Sequence, residues 1–532
     1  MNANEIRRRY LRFFESKKHK VIPSDSLVPA SNDPSVLFTS AGMNQFKEQF
    51  MGINITFKRA ASSQKCLRTG DLDKVGKTAG HHTFFEMLGN FSFGDYFKKE
   101  AINWAWEFMV SELKIPAEKL WVSVYKDDGE AYSIWKDDIK IPEHRIKKYD
   151  AHDNFWPQNA IVDGPDGPCG PCSEIFYDQG EDAGCRTEHC EPSCSCGRFV
   201  EVWNLVFTQF NRTGKNNLVP LKNKNIDTGM GLERIARVMQ GVKTNFETDL
   251  FVPVTGEICK LADEKKKDKT FCVNAIADHI RAVVFMIGDG VLPSNEERGY
   301  VARMLIRRAF RFGKEELGIE PPFLYKLVPV ITKIMKEQCP ELETMRENIA
   351  DVVLNEEKKF QGTCEEGEEK IAKMSRISGE NLFMLYDTCG FPIESTIAAA
   401  EARNIPIDPD AREKAKKYME QQRKLARASS KMKTSIFDDS RSEDVVKKLS
   451  ETLKPTVFLG YSKLAAEAKI LAIIKSGNKI KSAKDRDKIE IILDKSPFYG
   501  ESGGQMGDNG EISTRPGKAK VNDTKKIGNI IV

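Results

Sequence analysis

The hydrophobic period of this chain changes twice. As far as Gly241, short segments of strand period alternate with amphipathic helices. From there to about residue 430 the period is helical, and from Lys454 onward it returns to that of strands. That pattern predicts an α+β fold. At roughly 150 residues per domain, 532 residues make about three domains. The expected divisions are 1–240, 241–440 and 441–532. Residues 4–17 read as a helix, with Ile6, Tyr10, Phe13 and Phe14 in one stripe. Ala60–Arg68 is extended, Thr69–Gly80 is a polar loop, and His81–Phe93 returns as a strand, so the three predict an antiparallel hairpin. A helix is expected over 98–113, and strands over Leu120–Tyr125 and Val200–Phe210. Residues 153–178 are rich in Gly, Pro and Cys. Near the end, Val457–Leu459, Ile470–Ile474 and Ile489–Leu493 with the glycines 500, 503, 504, 507 and 510 predict a small β-barrel. The β-prone Ile527–Val532 breaks off without a turn, as in a piece of a longer protein.

Composition narrows the function classes. Net charge is +4 over the whole length, so a nucleic-acid partner must meet a local basic face. No apolar run approaches the ~20 residues of a membrane span, and the charged N-terminus has no secretory h-region. No membrane partner is expected. The twelve cysteines cluster unevenly, which suits a reducing, cytoplasmic setting better than a disulfide framework.

The chemistry centres on Asp227-Thr228-Gly229-Met230-Gly231-Leu232-Glu233-Arg234. An acid opens it, two glycines permit close approach of a ligand to the backbone, and an apolar helix-forming run carries Arg234. Alone, such a stretch is more often a strand-to-helix turn. Its company changes the odds. Arg68 ends one strand, while His81, Phe85 and Glu86 begin the next. An arginine forks onto phosphate and a phenylalanine supports an adenine face. With Arg234 as second cation, the set makes a triphosphate site, although neither a P-loop nor a Rossmann glycine fingerprint is present.

Four cysteines, Cys185, Cys190, Cys194 and Cys196, fall within twelve residues with His189 among them. They suffice for a tetrahedral Zn²⁺ site. Unliganded thiols and a redox role are the alternatives, and Cys169 and Cys172 are competing ligands. Arg303, Arg307 and Arg311 recur at i, i+4 and i+8 beside Arg298 and Arg308. Such a stripe is commonly a solvated helix face, and otherwise a phosphate-binding one.

Long stretches resemble the alanyl-tRNA synthetases among the class II aminoacyl-tRNA synthetases. They are Gly80–Phe97, Asp166–Ile175, Trp203–Arg212, the stretch from Asp227, and Pro293–Tyr300. The resemblance runs along essentially the whole chain. It implies an antiparallel sheet flanked by helices as catalytic domain, a helical tRNA-recognition domain and the β-barrel. It implies Arg68 and Arg234 as the catalytic arginines of motifs 2 and 3, with ATP also meeting His81, Phe85 and Glu86. The implied alanine pocket is Trp156, Val206, Asp227 and Gly229. A carboxylate there pairs with the substrate ammonium, and the walls suit a methyl group. The implied reaction is activation of alanine by ATP with Mg²⁺, then transfer to the 3′ end of tRNA(Ala). The arginine stripe would contact phosphates, while Asn295 and Asp387 would read the G·U pair of the acceptor stem. The family's editing site needs a His-x3-His pair. None of the seven histidines make one, so editing and the C-terminal dimerising part are expected to be missing and this chain to be a monomer. The loop Pro157–Asp163 is longer than the family's shortest version, which leaves the placement of Trp156 open. A non-catalytic RNA-binding paralogue and a ligase acting on a carrier protein are the competing readings. The intact Arg68, Asp227 and Arg234 weigh against the first, and the arginine-bearing helical region against the second.

Overall fold

The computed structural model describes the chain apart from residues 30–35, 159, 163–165, 188–189, 215, 267, 388–392, 420, 422–452, 454, 461–462, 464, 476–477, 481, 485–486, 488, 499–507, 515–516, 522–523 and 528–529. His189, Asn159, Asp163 and the glycines 500, 503, 504 and 507 therefore lie outside the described residues, as does the side chain of Asp387. The chain divides into two compact units, Met1–Glu365 and Glu366–Val532.

The first unit is built on a nine-stranded sheet. Its strands are β1 (Lys20–Val21), β2 (Arg59–Leu67), β3 (Phe84–Phe93), β4 (Leu120–Tyr125), β5 (Ile146–Tyr149), β6 (Phe155–Trp156), β7 (Gly167–Asp178), β8 (Phe199–Arg212) and β9 (Leu218–Gly231). The order is β1-β2-β3-β9-β8-β7-β4-β5, with β6 pairing β7 to one side. Every central pairing is antiparallel, but β1 lies parallel to β2 and β5 parallel to β4. The sheet is thus mixed where an all-antiparallel one was expected. Both exceptions are short strands at the sheet's edges, where a crossover from the neighbouring helix is easily made.

One face of the sheet is closed by helices. Helix Ala3–Ser16 buries Ile6, Tyr10, Phe13 and Phe14, the stripe expected of it. Tyr10 packs edge-on to Phe108 at 5.3 Å and donates to Asn90 Oδ1 of β3 at 3.0 Å. Helix Thr270–Gly288 lies against the same strand, Phe285 stacking on Phe84 at 3.9 Å. At 19 residues and a mean hydropathy of 1.5 it is apolar enough to span a membrane, contrary to expectation. It is instead a core helix, 89% buried, whose polar residues Asp278, His279 and Arg281 are engaged inside the unit.

The least expected strand is β7, from the Gly/Pro/Cys-rich stretch. A central strand excludes proline unless the ladder is locally broken. Here the register slips between Cys169 and Cys172, around Pro171. Gly170 is required by the close approach of β8, since a Cβ there would stand 2.0 Å from the Phe207 carbonyl oxygen.

In the second unit the expected barrel is not found. The described strands pair in small groups: a three-stranded antiparallel sheet, Asn478–Ile480, Ile470–Lys475 and Glu490–Leu493, and three separate pairs. A small core of Ala472, Ile474, Ile492 and Ile530 joins the first of these to the last strand. Strands of two to six residues bury too little to close on themselves among the described residues.

Candidate active site

The sheet's alternation decides what faces the ligand side. Along β3, Leu88, Glu86 and Asn90 point to the helices, so Phe85 and Met87 point the other way. There a cavity of about 220 Å³ is lined by both, by Arg68 and His81 from the hairpin, and by Val206, Asp227 and Gly229 from β8 and β9. Trp156 and Arg234 complete it. The structure therefore gathers every residue expected for ATP and alanine except Glu86. That residue is a correction: one position along from Phe85, it takes the opposite face. It is 1% exposed and binds Arg7 through two hydrogen bonds, 2.7 and 2.9 Å. Ser63 donates to it and Arg281 stands 3.8 Å away, so its role is to hold the helices to the sheet.

The site is electrostatically unfinished. Asp227 is 6% exposed, and no group among the described residues bonds to its carboxylate. Burial alone pushes its carboxyl up to about 7. Gly229, two residues on, keeps the floor open: a Cβ there would stand 2.8 Å from Met87 Sδ. At the other end, the Arg68 guanidinium lies 5.1 Å over the Phe85 ring and, among the described residues, donates to the Ser40 carbonyl. Arg234 is anchored to Glu201 at 2.6 Å. Behind that pair sits Glu174, whose carboxyl is pushed well above the usual range by burial and then by Glu201. Asn204 donates to Glu174 at 3.0 Å, and its own Oδ1 has no partner among the described residues. His81, hydrogen-bonded to Thr78 Oγ1 at 2.8 Å, is held below its ordinary pKa by burial and by Arg234, and so is neutral at pH 7.

Asp71, His82, Glu201, Asn204 and Asn245 also line the cavity and were missed from the sequence. Asp71, three residues after Arg68, could have been flagged as a carboxylate in the same loop. Glu201 could not. Ile175 of β7 pairs with Trp203, but the next residue, Phe176, pairs with Glu201. Val202 is therefore an extra residue in β8, a bulge. It turns Glu201 to the side that Asn204 and Val206 already face.

The expected RNA-binding arginines are mostly satisfied within the first unit. In helix Glu297–Arg311, Arg303 and Arg307 both reach Glu356 Oε1, at 3.1 and 2.9 Å, and Glu356 is 4% exposed. Arg307 also lies 4.9 Å over Phe360. Arg311 pairs with Glu315 at 3.3 Å, Arg308 stands 3.8 Å from Asp73, and Arg298 donates to the Leu37 carbonyl at 2.6 Å. The stripe is thus largely a helix-packing device, because three like charges on one face are cheapest when a facing acid answers them. Asn295 is exposed and accepts from Arg303. Asp387 is the last residue of helix Gly379–Asp387 in the second unit.

Between β7 and β8 the sulfurs of Cys185, Cys190, Cys194 and Cys196 all lie within 4.8 Å of one another. Cys185–Cys194 and Cys190–Cys196 separations are 3.8 and 3.5 Å. A tetrahedron with Zn–S bonds of about 2.3 Å has edges of about 3.8 Å, so the donor set fits zinc. The thiols are poised unequally. Hydrogen bonds from Thr187 lower Cys185, whereas burial and Cys196 raise Cys190, as expected where four thiolates cannot coexist without a cation. Cys169 and Cys172 do not belong to the cluster; both are buried in β7, with burial pushing the Cys169 thiol up to about 11.

Relatives carry the same framework. An alanine–tRNA ligase of Pelotomaculum thermopropionicum is 45% identical over 100% of this chain and 61% of its own length. Another, of Desulforamulus reducens, is 47% identical over 96% of this chain and 58% of its own. The chain thus spans about 60% of the length of the curated relatives it matches. Among solved structures, an apo S. aureus histidyl-tRNA synthetase matches 45% of this chain at 13% identity and a TM-score of 0.28, a likeness too loose to bear on the site. The family model for class II (A) tRNA synthetases runs from residue 5 to residue 532. A match along the whole sheet and both sides of the cavity leaves one conclusion: this chain belongs to the class II tRNA synthetases.

Proposed function

We propose that this chain activates alanine with ATP and passes it to tRNA(Ala). The observation that carries the reading is Asp227, a buried carboxylate without a partner among the described residues, in a cavity whose far end holds Arg68, Phe85 and Arg234. A carboxyl raised to about 7 by burial is stabilised in its charged form by an arriving ammonium. Trp156 and Val206 leave room for a methyl group, and the names of the relatives supply the amino acid.

In the first step the alanine carboxylate, already ionised, attacks the α-phosphorus of ATP, and pyrophosphate leaves. Arg68 carries the charge that develops on the α-phosphate. Phe85 and Arg234 sandwich the adenine, and His81 lies alongside. No general base is needed, so rate comes from positioning and preorganised charge. In the second step a terminal ribose hydroxyl of the tRNA attacks the mixed anhydride, forming the ester and releasing AMP. Glu201 brings a carboxylate to the cavity wall, the hard-oxygen chemistry that would hold Mg²⁺. When bound, that ion neutralises phosphate charge. The four clustered cysteines would hold a structural Zn²⁺.

In this reading residues 1–240 carry the chemistry, 241–440 recognise tRNA and 441–532 are accessory. Asn295 is the exposed group that reads the acceptor stem, and the protein works in the cytoplasm. Alanine-dependent exchange of pyrophosphate into ATP tests the first step. Exchange with alanine and not with leucine is expected, and no exchange refutes the reading. Charging of tRNA(Ala) should be lost when the acceptor-stem G·U pair becomes G·C. Undiminished charging removes the role given to Asn295. Metal analysis of the purified chain should find about one zinc per chain, and none after Cys190→Ser.

A further inference from the structure

Behind the cavity, β3 and β9 are clasped by side chains. The ladder pairs Leu88 with Met230 and Phe91 with Asp227. Between those pairs Asn90 and Thr228, each 1% exposed, bond each other twice. The Asn90 backbone N–H donates to Thr228 Oγ1 at 3.1 Å, and that hydroxyl donates to Asn90 Oδ1 at 2.6 Å. On its other edge β9 keeps a regular ladder, with Asp227, Thr228 and Gly229 against Val206, Leu205 and Asn204 of β8.

The clasp is oriented from the helix side of the sheet. His19 Nδ1 lies 3.0 Å from the Phe14 carbonyl oxygen, and burial lowers the imidazole to about 4, so it is neutral at pH 7. A carbonyl can only accept, so the His19 proton sits on Nδ1 and the Tyr96 hydroxyl donates to Nε2 at 2.9 Å. The Tyr96 oxygen then accepts from Asn90 Nδ2 at 2.9 Å. That turns Asn90 Oδ1 toward Thr228 and toward Tyr10, whose hydroxyl donates to it at 3.0 Å. Tyr10, His19 and Tyr96 are all buried.

Thr228 stands between Asp227 and Gly229, which both line the cavity. The Asp227 carboxylate has no partner among the described residues, so the backbone that carries it sets its place. Gly229 meets Met87 of β3 across the same gap, since a Cβ there would stand 2.8 Å from Met87 Sδ. The spacing of β3 and β9 at this point thus fixes the depth of the cavity floor, and the clasp holds that spacing. We propose that Asn90 and Thr228 are positioning residues for the amino acid: they hold Asp227 at the substrate ammonium and the Met87–Gly229 floor at a depth that admits one methyl group. This rests on the reading of the Asp227 end of the cavity as the alanine site. A displacement of well under an ångström there is enough to weaken a positioned substrate.

The test is pyrophosphate exchange on the full chain with alanine and with 2-aminobutyrate, one methylene larger. Thr228→Val removes the hydroxyl at nearly constant volume. It should raise KM for alanine about tenfold and leave KM for ATP within about twofold of its value. The ratio of kcat/KM for alanine to that for 2-aminobutyrate should fall about fivefold, as the floor recedes. Thr228→Ser, which keeps the hydroxyl, should retain both values. Asn90→Ala opens the same clasp from β3 and should give the same split. Neither a KM nor a ratio taken within one protein depends on the fraction folded. Equal rises in the two KM values, or an unchanged ratio in Thr228→Val and Asn90→Ala, overturn the assignment while leaving the alanine site intact. Absence of alanine-dependent exchange in the unaltered chain overturns the assignment and the alanine site together.

Discussion

The cavity and the arginine helix treat their charges in opposite ways. In the cavity, Asp227 is buried with nothing bonded to it among the described residues, and Arg68 faces an aromatic ring and one carbonyl. In helix Glu297–Arg311, Arg303 and Arg307 converge on one buried acid, and Arg311 has its own glutamate a turn away. Both sets looked functional in the sequence. The fold distinguishes them by completion. A charge already answered inside the protein contributes to packing, and a charge left unanswered in a buried place is a standing cost that a ligand relieves.

The largest effect that can break this contrast is at Asp227. Asp227→Asn should lower kcat/KM for alanine by about 10³-fold, equivalent to about 4 kcal/mol, because the substrate ammonium loses its buried counter-charge. The same substitution should stabilise the ligand-free protein at pH 8, since it removes an unpaired buried charge. A loss of stability in thermal melts would mean that Asp227 is a structural residue after all.

A second effect follows from its pKa. The carboxyl rises from 3.8 to about 7 on folding, so the empty site is neutral below about 7. Alanine binding should then weaken about tenfold per pH unit below that value, and kcat/KM against pH should show the break. For stability the sign is reversed. The folded chain binds this proton more tightly than the unfolded one, so this group's contribution to stability should fall as pH rises from about 4 to about 7.

Smaller effects sharpen the other half of the contrast. Glu356→Gln should destabilise the chain by about 1–2 kcal/mol in denaturant melts, since two partly buried guanidiniums lose their shared charge. Alanine-dependent exchange should be unaffected. Arg311→Ala should change stability by no more than about 0.5 kcal/mol, its pair with Glu315 being near the surface. If Arg311 also meets a phosphate, the slope of tRNA affinity against salt should fall by about one in the same variant.

Much of this was legible in residue order. Period-two and period-3.6 patterns located β2, β3, β4, β8 and the first helix to within a few residues. The cavity residues that lie on regular strands, Phe85, Val206, Asp227 and Gly229, were found with them. What escaped depended on irregularity or on distance. β7 was hidden because Pro168 and Pro171 argue against a central strand; Pro168 sits at the strand's start and Pro171 falls inside the register slip. Glu86 was misassigned because its neighbour Phe85 truly faces the cavity, and one step along a strand reverses the face. Asn245 and Asp278 lie 163 and 196 residues from His82, the histidine they bond, a proximity that no local pattern announces. The pairing of Arg303 and Arg307 with Glu356 was hidden for the same reason.

The bulge at Val202 has a consequence for how this site can be lost. Glu201 reaches Arg234 only because β8 carries one residue more than β7 at that point. Most substitutions at Val202 leave the chain's length, and so the acid's direction, unchanged. Loss of a single codon there would restore a regular ladder and rotate Glu201 toward the helices, with every other cavity residue still encoded. The lesion to which this centre is most exposed is therefore one of length, which a comparison of residue identities alone would pass over.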